Sequence, residues 1–177
     1  MSWPNKEDWE ALGKMSKENL LALFFLHVKN LWRVDGLYFL GIEEEVDAET
    51  ATRIDASCWR TMGKIEAREL KKALGIKENG VAALIETLRN TSWALYQAEK
   101  ESEASAEKGI FQVTRCRTQE TRLNRGLGEF SCKKVRLGYL ESFTKEFNSE
   151  IQVICKSCPP DPRENDVWCK WEFTLRK

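Results

Sequence analysis

The spacing of apolar residues changes once along this chain, and this change constrains the fold more than any other feature of the sequence. Through residue 91, apolar side chains recur every three or four residues, as on a helix face; beyond it, several segments alternate apolar and polar residues, as strands do. A chain of 177 residues without repeats or linkers has the length of one domain. We therefore expect a single α+β domain, residues 1–177. Its N-terminal helices (1–91) are expected to pack on a C-terminal antiparallel sheet of about four strands with interspersed helices (92–177).

Three helices are predicted in the first half, each from a capping residue followed by an apolar stripe. A side-chain oxygen at an N-cap accepts a hydrogen bond from the first helical turn. The three predicted N-caps are Ser16, Asp47 and Asn79. The first stripe, with Asp35 beside it, consists of Leu20, Phe24, His27, Leu31, Val34, Tyr38 and Ile42. We expect Gly36 and Gly41 to bend or interrupt this helix, and Gly75 to end the second.

Four strands and two further helices are predicted in the second half. The predicted strands are Trp93–Glu99, Ile110–Arg117, Ile151–Cys155 and Val167–Leu175. The predicted helices are a short one over Gln119–Arg125 and one that carries Tyr139, Phe143 and Phe147. The last strand alternates throughout, so we expect it to be antiparallel and half-buried. We expect five tryptophans to line the core or a pocket, namely Trp32, Trp59, Trp93, Trp168 and Trp171.

The charge balance and the absence of common motifs exclude several classes of function. The chain carries 28 basic and 28 acidic side chains, so it lacks the electrostatic footprint of a protein that binds nucleic acid or anionic membranes. Its longest apolar run, Leu20–Leu26, is too short to span a bilayer, and residues 1–19 lack the apolar core of a secretory signal. We expect a cytoplasmic protein with no nucleic-acid or membrane partner. No phosphate-binding glycine loop, G-x-S-x-G or H-E-x-x-H motif is present.

Five of the six cysteines lie in the strand-rich half, and four of them could form a metal site. Cys155 and Cys158 form a C-x-x-C pair, in which two thiolates can bind one ion where the chain turns. Cys169 on the following strand and Cys116 on an adjacent one would complete the predicted metal ligands. Soft sulfur ligands favour zinc, with an iron–sulfur centre as second choice.

The alternative is that these cysteines are ordinary buried thiols. Cytosolic cysteines are usually reduced thiols or metal ligands, and a free cysteine packs as a small hydrophobic residue. A redox-active C-x-x-C is less favoured, because two prolines, Pro159 and Pro160, follow the pair in place of a helix. The sequence leaves metal ligands and packed thiols as equal alternatives.

His27, Asp35 and Glu66 are candidate polar residues on predicted helix faces. A functional interpretation gathers them around a ligand or metal between packed helices. His27 and Asp35, however, are eight residues apart on one helix, about 12 Å along a straight axis, so they cannot share one ion unless Gly36 or a second helix reshapes the site. The favoured alternative is a core His27 that hydrogen-bonds a carboxylate or carbonyl group.

Segments spread over nearly the whole chain together resemble a known family. They are residues 31–37, 58–60, 63–68, 113–117, 158–161 and 168–173. This set is similar to uncharacterised prokaryotic cytosolic proteins related to L-2-amino-thiazoline-4-carboxylic acid hydrolases. The resemblance implies hydrolysis of a small cyclic amino-acid derivative, with Cys116 as the nucleophile and His27, Asp35 or Glu66 as proton-transfer groups.

The closing segment also resembles the end of four-vinyl reductase domains, which are α+β ligand-binding modules related to haem nitric-oxide-binding folds. Its C-x-x-C loop is followed by Cys169-Lys170-Trp171-Glu172-Phe173. The resemblance implies a small-ligand pocket between helices and an antiparallel sheet, with cysteines near it. The chain departs from that pattern at Arg163, where a histidine is expected, so a metal site here would be all-thiolate or absent.

These observations lead to three predicted functions. The first is a cytosolic protein that binds a small molecule or a metal through or near its thiol cluster. The second is the hydrolase implied by the family resemblance. The third is a structural or oligomerising protein with buried reduced cysteines, for which a homodimer is the default expectation.

Overall fold

The computed structural model describes residues 4–163 and 166–176, which form an α+β fold with the helices mostly before the strands. The helices are α1 (Lys6–Gly13), α2 (Lys17–Glu45), α3 (Ala48–Ala73), α4 (Val81–Arg89), α5 (Ser92–Tyr96), α6 (Arg117–Asn124) and α7 (Lys133–Phe147). The strands are β1 (Glu99–Ala104), β2 (Lys108–Arg115), β3 (Ile151–Ser157) and β4 (Cys169–Leu175). The predicted fold class is confirmed. The chain divides into two compact units, residues 1–38 and 39–177.

Helix α2 is continuous over its 29 residues, so the predicted break at Gly36 or Gly41 is wrong. Ser16 caps it as predicted, because its hydroxyl accepts a hydrogen bond from the Asn19 amide at 3.2 Å. Its buried residues are Val28 and Trp32, each one position beyond a residue of the predicted stripe. Because apolar residues lie on several faces of α2, their spacing does not identify the face that is buried.

Helix α3 begins and ends at the predicted residues. The Asp47 carboxylate accepts from the Thr50 amide at 2.6 Å. At the other end Gly75 has a φ of +64°, and the Ile76 amide donates to the Lys71 carbonyl at 2.9 Å, which completes a Schellman cap. The predicted cap of the next helix is wrong, because Gly80 is the N-cap of α4.

The four strands form one antiparallel sheet in the order β1-β2-β4-β3. The first predicted strand is wrong, because Trp93 lies in the short helix α5, and the strand begins at Glu99. The segment Glu99–Ala104 is almost entirely polar. As an edge strand it pairs on one side only and needs no apolar face, so the alternation pattern cannot reveal it.

Helices α4 and α7 pack on the sheet, and α3 packs closely on α7. At Gly63 on α3, an added Cβ would lie 2.5 Å from the Tyr139 carbonyl oxygen, so this close approach requires glycine. The Trp93 ring lies 5.1 Å from Phe111 and 6.4 Å from Tyr139, centroid to centroid. All five tryptophans predicted to lie inside are buried.

Candidate functional site

The fold brings cysteines together at one end of the sheet. Because β2 and β3 are both antiparallel to β4, the last residues of β2 and β3 lie beside the first residue of β4. Cys116 directly follows β2, Cys158 follows β3, and Cys169 begins β4. Cys132 precedes the first residue of α7 and is its N-cap. Four separate segments therefore each contribute one thiol.

The closest pair in this cluster joins two of these segments. The sulfur atoms of Cys132 and Cys158 are 3.7 Å apart, and the Cys158 thiol also interacts with that of Cys169. Two sulfur ligands of one tetrahedral zinc ion, with bonds of about 2.3 Å, lie about 3.8 Å from each other. The pair therefore has the separation that two ligands of one zinc ion require.

Gln119, a buried residue of α6, holds the chain that leads into Cys132. Its amide nitrogen donates to the Phe130 carbonyl at 2.8 Å, and its oxygen accepts from the Phe130 amide at 2.9 Å. The same nitrogen lies 3.7 Å from the Cys132 sulfur. Hydrogen bonds to a ligand atom are what orients ligands in protein metal sites.

A second set of contacts holds Cys158 in place. Its amide donates to the Asp161 carboxylate at 3.2 Å, and the Asp161 amide donates back to the Cys158 carbonyl at 2.9 Å. Lys133 Nζ lies 2.7 Å from the same carboxylate, and the Lys133 amide donates to the Pro159 carbonyl at 2.9 Å. The start of α7 and the turn after β3 are thus bound to each other beside the two thiols.

The pKa values of the two close thiols, Cys132 and Cys158, are shifted in opposite directions. The pKa of Cys132 is lowered, chiefly by the hydrogen bond from Cys158 and, against the effect of burial, by the charge of Arg136. The pKa of Cys158 is raised by its hydrogen bonds to Cys132 and Cys169 and by burial. These opposite shifts favour ionisation of Cys132 over ionisation of Cys158.

Two further thiols adjoin this pair. Burial raises the pKa of Cys116 to about 12, and the charges of Cys169 and Cys132 act in the same direction. Burial also raises the pKa of Cys155 to about 11, where Lys133 and Asp161 are its stronger charged neighbours. The thiols of Cys169 and Cys132 therefore affect the pKa of both Cys116 and Cys155, and the Lys133–Asp161 ion pair affects Cys155 more strongly than they do.

The predicted metal ligands are thus partly brought together. The Cys158 thiol interacts with that of Cys169, and Cys116 is affected by the charges of Cys169 and Cys132, so metal binding by these residues stays a prediction. The thiol 3.7 Å from Cys158 is that of Cys132, which sequence reasoning missed because it belongs to no spaced motif. Among residues 4–163 and 166–176, no three His, Cys, Asp or Glu side chains are already arranged to hold a metal ion. The cluster is a close pair with further thiols around it.

The polar candidates of the helices lie in different surroundings. His27 is exposed on α2, so the prediction that it hydrogen-bonds in the core is wrong. Asp35 lies on the same unbroken helix, which keeps the two apart as expected. Glu66 is buried on α3, where it accepts hydrogen bonds from the Tyr139 hydroxyl at 2.7 Å and the Ser92 amide at 2.6 Å.

Arg136 connects the thiol cluster electrostatically to the aromatic core. Its guanidinium carbon lies 4.5 Å from the ring centre of Trp93, 5.0 Å from Tyr139 and 5.6 Å from Trp59. Burial, followed by the charge of Glu66, raises the pKa of Tyr139, while Arg136 acts against that rise. The charge of Arg136 therefore acts to lower the pKa of both Cys132 and Tyr139.

An open groove of about 960 Å³ runs between α3 and α7 and reaches the turn after β3. Its apolar lining includes Ala48, Ala56, Leu137, Gly138 and Pro160. Its charged lining consists of Glu49, Arg53, Arg60, Lys133, Lys134, Glu141 and Asp161. The Lys133–Asp161 ion pair is therefore both a wall of the groove and a support of the thiol pair.

Residues 13–175 match the sequence pattern of a family of unknown function, DUF6125. The chain belongs to this family. The match covers both compact units, so the DUF6125 pattern includes α2 and the thiol cluster alike. A comparison with curated proteins found no match. The resemblances to aminothiazoline hydrolases and to four-vinyl reductase domains stay predictions. Within the described residues, none of the helices combines the length and apolar character that a membrane crossing requires.

Proposed function

We propose that this protein binds one zinc ion through the thiolates of Cys116, Cys132, Cys158 and Cys169. The observation that carries the proposal is the 3.7 Å separation of the Cys132 and Cys158 sulfurs, which come from segments 26 residues apart in the chain. We choose Cys116 rather than Cys155 as the fourth ligand, because the charged groups that affect the pKa of Cys116 are the thiols of Cys169 and Cys132. The same two thiols affect Cys155 as well, but less strongly than Lys133 and Asp161 do.

The chemistry of the ligands favours zinc. Four thiolates bind soft metals, and a site with four protein ligands has no open position for substrate, which is typical of structural zinc. Four thiolates on a divalent ion leave two negative charges. The charge of Arg136 lowers the pKa of Cys132, and the charge of Cys158 raises the pKa of Lys133. These two cations would offset the negative charge of the site.

The role of such an ion would be to connect the ends of β2, β3 and β4 to the start of α7. Because structural zinc adds its binding free energy to folding, we expect the metal-free protein to unfold at lower temperature. The ion would also hold the turn carrying Pro160 and Asp161, and with it one wall of the groove.

The test is metal analysis of protein purified without added metal or chelator, together with three single variants. We expect about one zinc per chain in the wild type and in Cys155→Ser, and loss of zinc in Cys132→Ser. Cys58→Ser, an exposed cysteine on α3, controls for replacing any thiol. Circular dichroism of each variant separates metal loss from unfolding.

Two results would contradict the proposal in different ways. A wild type without zinc, whose thiols react only after unfolding, would mean that the cysteines are packed core residues. Zinc retained in Cys132→Ser but lost in Cys155→Ser would support the ligand set predicted from sequence, Cys116, Cys155, Cys158 and Cys169, over the set proposed from the geometry.

The second candidate function is binding of a small organic anion in the groove. The observation in its favour is the lining, which combines small and apolar residues with the guanidinium groups of Arg53 and Arg60 and the ammonium group of Lys134. Ligand sites combine apolar walls with a few charged groups in this way. Three carboxylates, Glu49, Glu141 and Asp161, also line the groove, and Lys133 pairs with Asp161, so we expect a ligand of low negative charge.

The aromatic sulfonate 1-anilinonaphthalene-8-sulfonate is a suitable probe, because it combines an apolar body with one negative charge. We expect the double variant Arg53→Met with Arg60→Met to weaken its binding by roughly threefold to thirtyfold, since each exposed ionic contact contributes up to about 1 kcal/mol. Lys64→Met, an exposed residue of α3 outside the groove, is the matched control. Equal affinity in both variants would refute binding in the groove.

A further inference from the structure

Helix α2 exposes more large apolar side chains than a surface helix usually does. The exposed large apolar residues between positions 20 and 38 all lie in the first compact unit. They are Leu20, Leu21, Phe24, Phe25, Leu26, Leu31, Val34, Leu37 and Tyr38, each between 36% and 72% exposed. Single exposed apolar residues are ordinary, but a continuous apolar surface marks an interaction site.

One stripe of this surface has the spacing of a coiled-coil seam. From Leu20 to Tyr38 its residues are separated by steps of four, three, four, three and four. They are Leu20, Phe24, His27, Leu31, Val34 and Tyr38. From Leu20 to Val34 four steps cover two heptads, a mean of 3.5 residues per step, which is the repeat at which two helices keep one seam in contact. The residues of α2 that are buried, Val28 and Trp32, lie outside this stripe.

We propose that this stripe is the interface of a homodimer, in which α2 of one chain packs along α2 of a second copy. A second copy offers the same apolar stripe with the same period, so that side chains of each helix can fill the gaps of the other. The stripe contains no Asp, Glu, Lys or Arg, so nothing in it selects a partner of complementary charge. Two-fold pairing of identical surfaces is also the commonest form of association.

The size of the surface is adequate for such a dimer. The stripe spans 19 residues, or about 27 Å of helix. Seven large apolar side chains lie in the stripe or directly beside it, each between about one third and three quarters exposed: Leu20, Leu21, Phe24, Leu31, Val34, Leu37 and Tyr38. Together they provide an area of the order of the roughly 800 Å² that each partner of a standard interface buries. Fewer than three heptads would pair weakly as a free peptide. Here, however, α2 is already formed within the fold and has no nucleation cost.

The test is sedimentation velocity between about 1 and 100 µM, with two variants of closely matched residues. Leu31 lies in the seam and is 43% exposed; Leu26 lies off the seam and is 46% exposed. We expect the wild type and Leu26→Glu to form dimers, and Leu31→Glu to weaken the dimer by roughly a hundredfold or more, because it would bury a charge. Both residues are exposed in the single chain, so neither variant should unfold it, which circular dichroism checks.

Several results would overturn the dimer. A wild type that stays monomeric throughout this concentration range would do so, as would a Leu31→Glu variant that dimerises as well as Leu26→Glu. A monomer that instead co-sediments with phosphatidylcholine vesicles would assign the apolar surface to a lipid interface. Repeating the sedimentation experiment after treatment with chelator tests the dimer separately from the proposed zinc site.

Discussion

Helices α2 and α3 follow each other in the chain and have similar lengths, 29 and 26 residues, but they use their apolar residues differently. In α3 the inward residues meet α7, with Trp59 against Tyr139 at 5.7 Å between ring centres. In α2 most large apolar side chains are exposed. The difference teaches that an apolar stripe identifies a helix but does not identify its partner, which can be the same chain or another molecule.

Removing one large side chain from each helix should give the largest contrast. Trp59→Ala is expected to lower the free energy of unfolding by about 3–5 kcal/mol, because it leaves a cavity in the core. Leu26→Ala on α2 should change it by no more than about 0.5 kcal/mol. Urea unfolding followed by circular dichroism measures both. Comparable losses would mean that α2 is packed as tightly as α3.

The same glycine substitution should have opposite signs on the two helices. Gly63→Ala forces the new Cβ against the Tyr139 carbonyl oxygen and the Ser142 hydroxyl, which we expect to cost about 2 kcal/mol after the gain in helix propensity. Gly36→Ala meets no atom within 4 Å and should stabilise by about 0.5–1 kcal/mol. Thermal unfolding of the two variants provides the comparison, and a shift in the same direction for both would contradict it.

The next contrast compares a buried carboxylate on α3 with an exposed one on α2. Glu66→Gln removes the charge that accepts hydrogen bonds from Tyr139 and Ser92. Because a hydrogen bond to a charged group contributes about 1.5–3 kcal/mol to stability, we expect this variant to lower the urea midpoint. Glu45→Gln at the exposed end of α2 should have almost no effect on the urea midpoint. If both variants unfold at the wild-type midpoint, the Glu66 network contributes nothing to stability.

The smallest contrast is in the response to acid of the two N-caps. Hydrogen bonds from Thr50 lower the pKa of Asp47 below its usual 3.8. The stabilisation by this carboxylate is therefore complete above about pH 3.8 and is lost as pH falls through the lowered pKa. Ser16 at the start of α2 does not titrate. We expect Asp47→Asn to reduce the loss of stability between pH 5 and pH 2.5 and Ser16→Ala to leave that loss unchanged, as urea midpoints at the two pH values would show.

Much of the fold could be predicted because its signals are local. The N-caps Ser16 and Asp47, the stop at Gly75 and the alternation of β4 each depend on a few neighbouring residues. The failures have a common physical cause: strand β1 is polar because it lies at an edge, and the apolar stripe that carries His27 is exposed. Both depend on what lies beside a segment, which its own residues do not encode.

For the thiol site, the sequence by itself determined that soft ligands are abundant near one C-x-x-C pair. Only the tertiary structure decided which thiols meet, because the order of strands in the sheet and the start of α7 bring Cys132 to Cys158 across 26 residues of chain. Spacing along a chain predicts contacts within a turn or a helix, whereas contacts between segments depend on how the strands pair. The spacing of the apolar residues in α2 likewise follows from the sequence alone, whereas the exposure of these residues is known only from the tertiary structure.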